Sequence, residues 1–128
     1  MNSGPAARET FSRDDRLRKR REFEECYASG VRVSGRHIQI FLLPSDPSGR
    51  PRLGISVPRR VGTAVVRNRV RRRLRELFRR RRSALPGALR LVVNVRPSAA
   101  DASFPELSED YRTTLARGVA RLPGGGAR

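Results

Sequence analysis

Val66, Val70, Leu74, Leu77 and Phe78 recur at helical spacing through the stretch VVRNRVRRRLRELFRRRR, residues 65–82, in which ten of eighteen positions are arginine. On a helix these apolar residues share an arc of about a third of the circumference, so the segment must dock a stripe on a core. Asn68, Arg72, Arg75 and Arg79 fall on the opposite arc, Arg71 lies beside the stripe, and Arg69 and Arg73 occupy the other flank. Glu76 is the only carboxylate in the run. The i,i+4 ion-pair ladder of an ordinary solvated helix cannot form, and like charges at that spacing cost about 0.2–0.5 kcal/mol per pair. An external polyanion relieves that repulsion.

The rest of the chain points the same way. A formal charge of +17 over 128 residues implies a polyanionic partner. The absence of an 18-residue apolar run or a secretory hydrophobic region favours nucleic acid over membrane. Arginine supplies 28 of the 29 basic residues, Lys19 being the exception. Guanidinium suits phosphate forks and base stacking, although a GC-rich genome gives the same skew. Cys26 has no second cysteine to pair with. It reads as core filler in a protein of the reducing cytoplasm.

Length predicts one domain over residues 11–122, preceded by a loose arm at 1–10 and followed by a frayed Gly-rich tail at 123–128. The leader FSRDDRLRKRR reads as mostly irregular. In EFEECYASG, Phe23, Cys26 and Tyr27 share a helical face before Gly30. RHIQIFLLPS and ALRLVVNV read as strands, the second with Leu89, Leu91, Val93 and Val95 inward, and VRVS as a further short one. In RLGISV, Leu53, Ile55 and Val57 lie on one side and Arg52, Gly54 and Ser56 on the other, a small polar face that is either a groove floor or a strand facing water. Thr63 is a candidate cap for the arginine helix, which Pro86 and Gly87 close off. Ser103 and Glu106 form a capping box ahead of a last helix through Leu107, Tyr111, Leu115, Val119 and Leu122. The order α-β-β-β-α-β-α predicts an α/β (α+β) two-layer sandwich on a small mixed sheet.

Catalytic groups are scarce. His37 is the only imidazole, so neither a histidine acid–base pair nor a His/Cys metal cluster can be assembled. The twelve carboxylates, among them Asp14, Asp15, Glu24, Glu25, Glu109 and Asp110, read mostly as solvated helix residues. Aromatics interleaved with arginine, in contrast, are what a single RNA strand needs, each base stacking for about 1–3 kcal/mol while guanidiniums hold phosphates. Phe23 and Phe41 read as such platforms, and Tyr27 fits core and platform equally. A structural RNA binder of the ribosomal kind would share the size and charge but needs no single-strand platform. A DNA-binding helix-turn-helix would need a short helix where RLGISVPRR reads as strand and loop.

The tripeptide RNR at Arg67–Arg69, set in RLGISVPRRVGTAVVRNRVRRRLRELFR, closely resembles the basic helix of the bacterial ribonuclease P protein subunits. RLRKRREFEECYASG, SGRHIQIFLL and LVVNVRPSA follow that family's order and spacing, so the likeness covers roughly residues 11–122. It implies a left-handed crossover from the RLGISV strand through the RNR helix to the LRLVVNV strand. It also implies that a large catalytic RNA, with Mg²⁺ bound mainly by that RNA, hydrolyses the 5′ leader from precursor tRNA, one protein serving each RNA.

Position by position, the resemblance assigns Phe23, Tyr27, Phe41, Ser56, Arg59 and Arg60 to a cleft for the single-stranded leader. It assigns Arg67, Asn68, Arg69, Arg71, Arg72 and Arg75 to the face that meets the catalytic RNA. Arginine replaces lysine at many of the family's positions, Thr63 stands where asparagine is common, and Gly35 stands where a larger polar residue is expected.

Overall fold

The computed structural model describes residues 15–44 and 49–123, so the predicted arm at 1–10 lies outside the described residues, as does all of the predicted tail but Pro123. Three α-helices and four strands follow in the order α1 (Arg20–Ser29), β1 (Val31–Ser34), β2 (Ile38–Pro44), β3 (Arg52–Ser56), α2 (Ala64–Arg81), β4 (Leu89–Val95) and α3 (Phe104–Ala120). This is the predicted order, the short VRVS strand included. The sheet runs β1-β2-β4-β3. β1 and β4 pair antiparallel with β2, while β3 and β4 are parallel neighbours joined through α2.

Strand residues alternate between the two faces, and the faces differ. Ile38, Ile40, Leu42, Leu53, Leu91 and Val93 point into the main core, where they meet Val70, Leu74, Leu77 and Phe78 of α2 and Leu107, Tyr111 and Leu115 of α3. The stripe found in the sequence is therefore the buried side of α2, with Val66 packed partly buried at its start. Thr63 caps this helix by accepting the Val66 N–H, and Ser103 and Glu106 cap α3 reciprocally, both as predicted. α2 stops at Arg81 and gives way to a 3₁₀ turn at Arg82–Ala84, ahead of Pro86 and Gly87.

On the other face Phe41 and Val92 join Leu17 and Cys26 in a small second cluster, with Phe23 and Leu43 packed against it. Cys26 is core filler as expected, fully buried beneath α1. The segment before α1 is less irregular than its composition suggests. Arg16 bridges to Leu53, and the Leu17 N–H donates to the Leu53 carbonyl, so this segment lies along the free edge of β3.

Tertiary packing overturns two of the sequence readings. Gly54 is neither an open groove floor nor a water-facing position, because a Cβ there would sit 2.6 Å from the Phe23 ring and 3.1 Å from Leu17. The glycine lets α1 and its leader close over this end of the sheet. Asp15 is not solvated either: it is 2 % exposed and pairs with Arg50 and Arg82. A buried carboxylate is tolerated when guanidiniums satisfy its oxygens. Asp14 lies outside the described residues.

Gly35 also acquires a reason. A Cβ there would meet Thr114 Oγ1 at 2.3 Å and Asp110 Oδ1 at 2.6 Å. Asp110 accepts the backbone N–H groups of Arg36 and His37 at 2.9 and 2.7 Å, pinning the β1–β2 turn to α3. His37 itself is buried, its Nδ1 2.8 Å from Ser98 Oγ.

Candidate nucleic-acid interface

The strand register lays three rows of side chains across the sheet face that α1 covers. Leu43, Arg90 and Arg52 form the first row, and Arg32, Phe41, Val92 and Gly54 the second. Ser34, Gln39, Asn94 and Ser56 form the third. α1 sits over the first two. Glu22 reaches Arg52 at 2.9 Å and Glu25 reaches Arg90 at 2.6 Å, so two ion pairs hold the helix down around the small cluster. The Arg52 guanidinium and the N–H groups of Arg18 and Lys19 draw the Glu22 carboxyl below its ordinary value against the opposing effect of burial.

The third row is left open. Gln39, Asn94 and Ser56 floor a concavity of about 510 Å³ whose walls include Pro58, Arg60, Arg96 and Pro97. Tyr27, on the last turns of α1, stands at its edge, 40 % exposed, with its hydroxyl donating to Asn94 Oδ1 at 2.9 Å. Phe41 lies beneath it, the two rings edge to face with centroids 4.8 Å apart.

The predicted cleft residues therefore divide. Tyr27, Ser56 and Arg60 surround the open row, and Arg59 is exposed on the same turn, Arg59–Val61. Phe41 is only 6 % exposed and Phe23 is half-buried against Gly54, so their rings support the wall, and Tyr27 is the aromatic most open to a ligand. Sequence reasoning missed Gln39, Asn94 and Arg96. Asn94 carried a signal, as the one uncharged polar residue in ALRLVVNV.

α2 begins directly after this concavity, and its arginines fall into distinct groups. Arg67 donates to the Gly62 carbonyl at 3.2 Å, Arg69 to Ala100 at 3.1 Å and Arg73 to Ala102 at 3.2 Å. These bonds lash the helix to its neighbouring loops and leave the other donors of each five-donor guanidinium for a further acceptor. Glu76 pairs with Arg79 and Arg80, whose guanidiniums hold its carboxyl down at about 2.

The remaining predicted positions form the outward surface. Arg71 donates to Asn68 Oδ1 at 2.9 Å, and Asn68 and Arg72 are exposed. Burial, then the charges of Arg16 and Arg71, push the Arg75 guanidinium below its ordinary value. Arg72 has no side-chain partner among the described residues. This surface concentrates positive charge that the protein does not itself neutralise, and a phosphate backbone would neutralise it.

Comparison with known proteins agrees with this arrangement. The Ribonuclease P family model matches residues 11–118. The ribonuclease P protein component of Acidothermus cellulolyticus is 44 % identical over 103 residues, covering 80 % of this chain and 86 % of that one. The Staphylococcus aureus RNase P protein superposes with a TM-score of 0.74 at 29 % identity, covering 79 % of this chain and 92 % of that one. The RNase P protein from Thermotoga maritima gives 0.71 at 29 % identity, with 80 % and 96 % covered. The basic helix, the half-covered sheet and these likenesses converge: the chain belongs to the ribonuclease P protein component family, the protein part of a ribonucleoprotein endoribonuclease of tRNA processing.

Proposed function

We propose that this protein holds two RNAs at once: the catalytic RNA on the outward surface of α2 and the single-stranded 5′ leader of precursor tRNA in the concavity beside α1. The observation that carries the proposal is the continuity of the two surfaces. The polar row Gln39–Asn94–Ser56 opens past Arg60 towards the turn at Arg59–Val61, and Thr63 then starts α2 with Asn68, Arg71 and Arg72 on its outer side. A strand lying along the row has Tyr27 to stack on and Arg60 and Arg96 within reach of its phosphates.

Hydrolysis belongs to the RNA in this proposal. Among the described residues no three His, Cys, Asp or Glu side chains converge. The donor set for a protein-held Mg²⁺ is thus not assembled there, and the proposal assigns the metal to the RNA, with one protein per RNA. The protein contributes orientation and charge neutralisation. No helix among the described residues is long and apolar enough to cross a membrane, and the proposed site of action is the cytoplasm, where precursor tRNA is made.

Site-directed cross-linking tests both halves. Cys26 is fully buried, so a photoreactive thiol reagent can be directed to Ser56→Cys or to Arg72→Cys. The Ser56→Cys probe should link to leader nucleotides and the Arg72→Cys probe to the catalytic RNA. Linking of both probes to the same RNA segment, or of neither, would refute the two-surface arrangement.

A further inference from the structure

The open row is a pair of amides whose polarity the protein has already set. Tyr27 donates to Asn94 Oδ1 at 2.9 Å, which leaves the Asn94 Nδ2 amino group to face the concavity as a donor. Across the strand pair, Gln39 Nε2 donates to Ser34 Oγ at 3.1 Å, which leaves Gln39 Oε1 as an acceptor. Gln39 and Asn94 are direct cross-strand partners, so donor and acceptor stand side by side on one floor.

We infer that Gln39 and Asn94 read the edge of one unpaired nucleobase, with Ser34 and the Tyr27 hydroxyl as positioning groups that fix the direction of the two amides. A floor with one donor beside one acceptor complements a base edge with the reverse order. Adenine and cytosine present an amino donor beside a ring-nitrogen acceptor, whereas guanine and uracil present a carbonyl acceptor beside a ring N–H donor. For a strand entering in one direction only one of these orders fits. The mismatched order leaves amide groups facing their own kind, a loss of about two- to tenfold in affinity per neutral hydrogen bond. Arg60 and Arg96 on the walls hold phosphates and do not distinguish bases.

This inference rests on the leader reading above, and the experiment separates the two. Holoenzyme affinity is measured for precursor tRNAs with long and very short leaders, and for long leaders with each position changed to A, C, G and U in turn. At one leader position the bases should split into an amino pair, A and C, and a keto pair, G and U. Asn94→Leu should flatten that split. Ser34→Ala, which releases the Gln39 amide without touching the concavity, should weaken the split while the long-leader advantage persists. A long-leader advantage with no amino–keto split, or a split unchanged by Asn94→Leu and Ser34→Ala, would overturn the inference and leave the leader reading standing. No long-leader advantage in the unaltered holoenzyme would remove both.

Discussion

One face of the sheet carries Ile38, Ile40, Leu42, Leu91 and Val93 against α2 and α3 and is sealed along its length. The other has Phe41 and Val92 under α1 and then ends in Gln39, Asn94 and Ser56, which nothing among the described residues covers. The difference lies in what the third row is made of. Replacing its polar side chains by valine or leucine would leave an exposed apolar patch that invites association. With amides and a hydroxyl, the row can stay open to water until a polar ligand arrives. One face supplies the fold's stability, and the other is available for recognition.

The largest expected effect is on the sealed face. Phe78→Ala should cost about 3–5 kcal/mol of folding stability, because a fully buried ring leaves a cavity in the main core. Urea denaturation should show it, and every activity should fall together. Phe41→Ala comes next. Its ring belongs to the small cluster and borders Tyr27, so the loss should lie near the low end of the same range, about 3 kcal/mol. Leader affinity should drop further than stability explains. Equal behaviour of the two variants in both assays would erase the distinction between the faces.

A smaller effect is expected on the outer side of α2. Arg72→Glu should leave the thermal midpoint unchanged, since the side chain is exposed and unpartnered among the described residues. Binding to the catalytic RNA should weaken, and the log–log salt slope should fall by about 0.7–0.9 for each phosphate that the protein no longer neutralises. Arg69→Ala provides the contrast: by freeing the Ala100 carbonyl it should lower stability as well as RNA binding. An Arg72 variant with unaltered slope would mean that this side of the helix is only solvated.

Periodicity made much of this legible. The stripe Val70, Leu74, Leu77, Phe78 gave the inner side of α2, alternation gave β2 and β4, and Ser103 with Glu106 marked the start of α3. What escaped was decided by tertiary packing. No local pattern shows that Arg16 and Leu17 bridge to Leu53, that Asp15 is buried between Arg50 and Arg82, or that Phe23 closes over Gly54. The arginines of α2 read as one charged surface on a helical wheel, yet Arg67, Arg69 and Arg73 also bond to carbonyls of neighbouring loops, acceptors that a wheel cannot display. Gln39 and Asn94 escape notice in the sequence because each looks like the ordinary polar partner of an alternating strand. Only the register puts them side by side.

The division of labour between the two faces meets its sharpest test at Tyr27, the aromatic that stands open at the edge of the polar row. Tyr27→Ala is assayed for thermal stability and for holoenzyme affinity towards precursor tRNA with long and very short leaders. The thermal midpoint should change little, and a loss of about 1–3 kcal/mol should be confined to long leaders, the cost of removing one stacking surface. A destabilised variant whose affinity falls equally for both leader lengths would refute the division, and would make Tyr27 a part of the fold with no share in recognition.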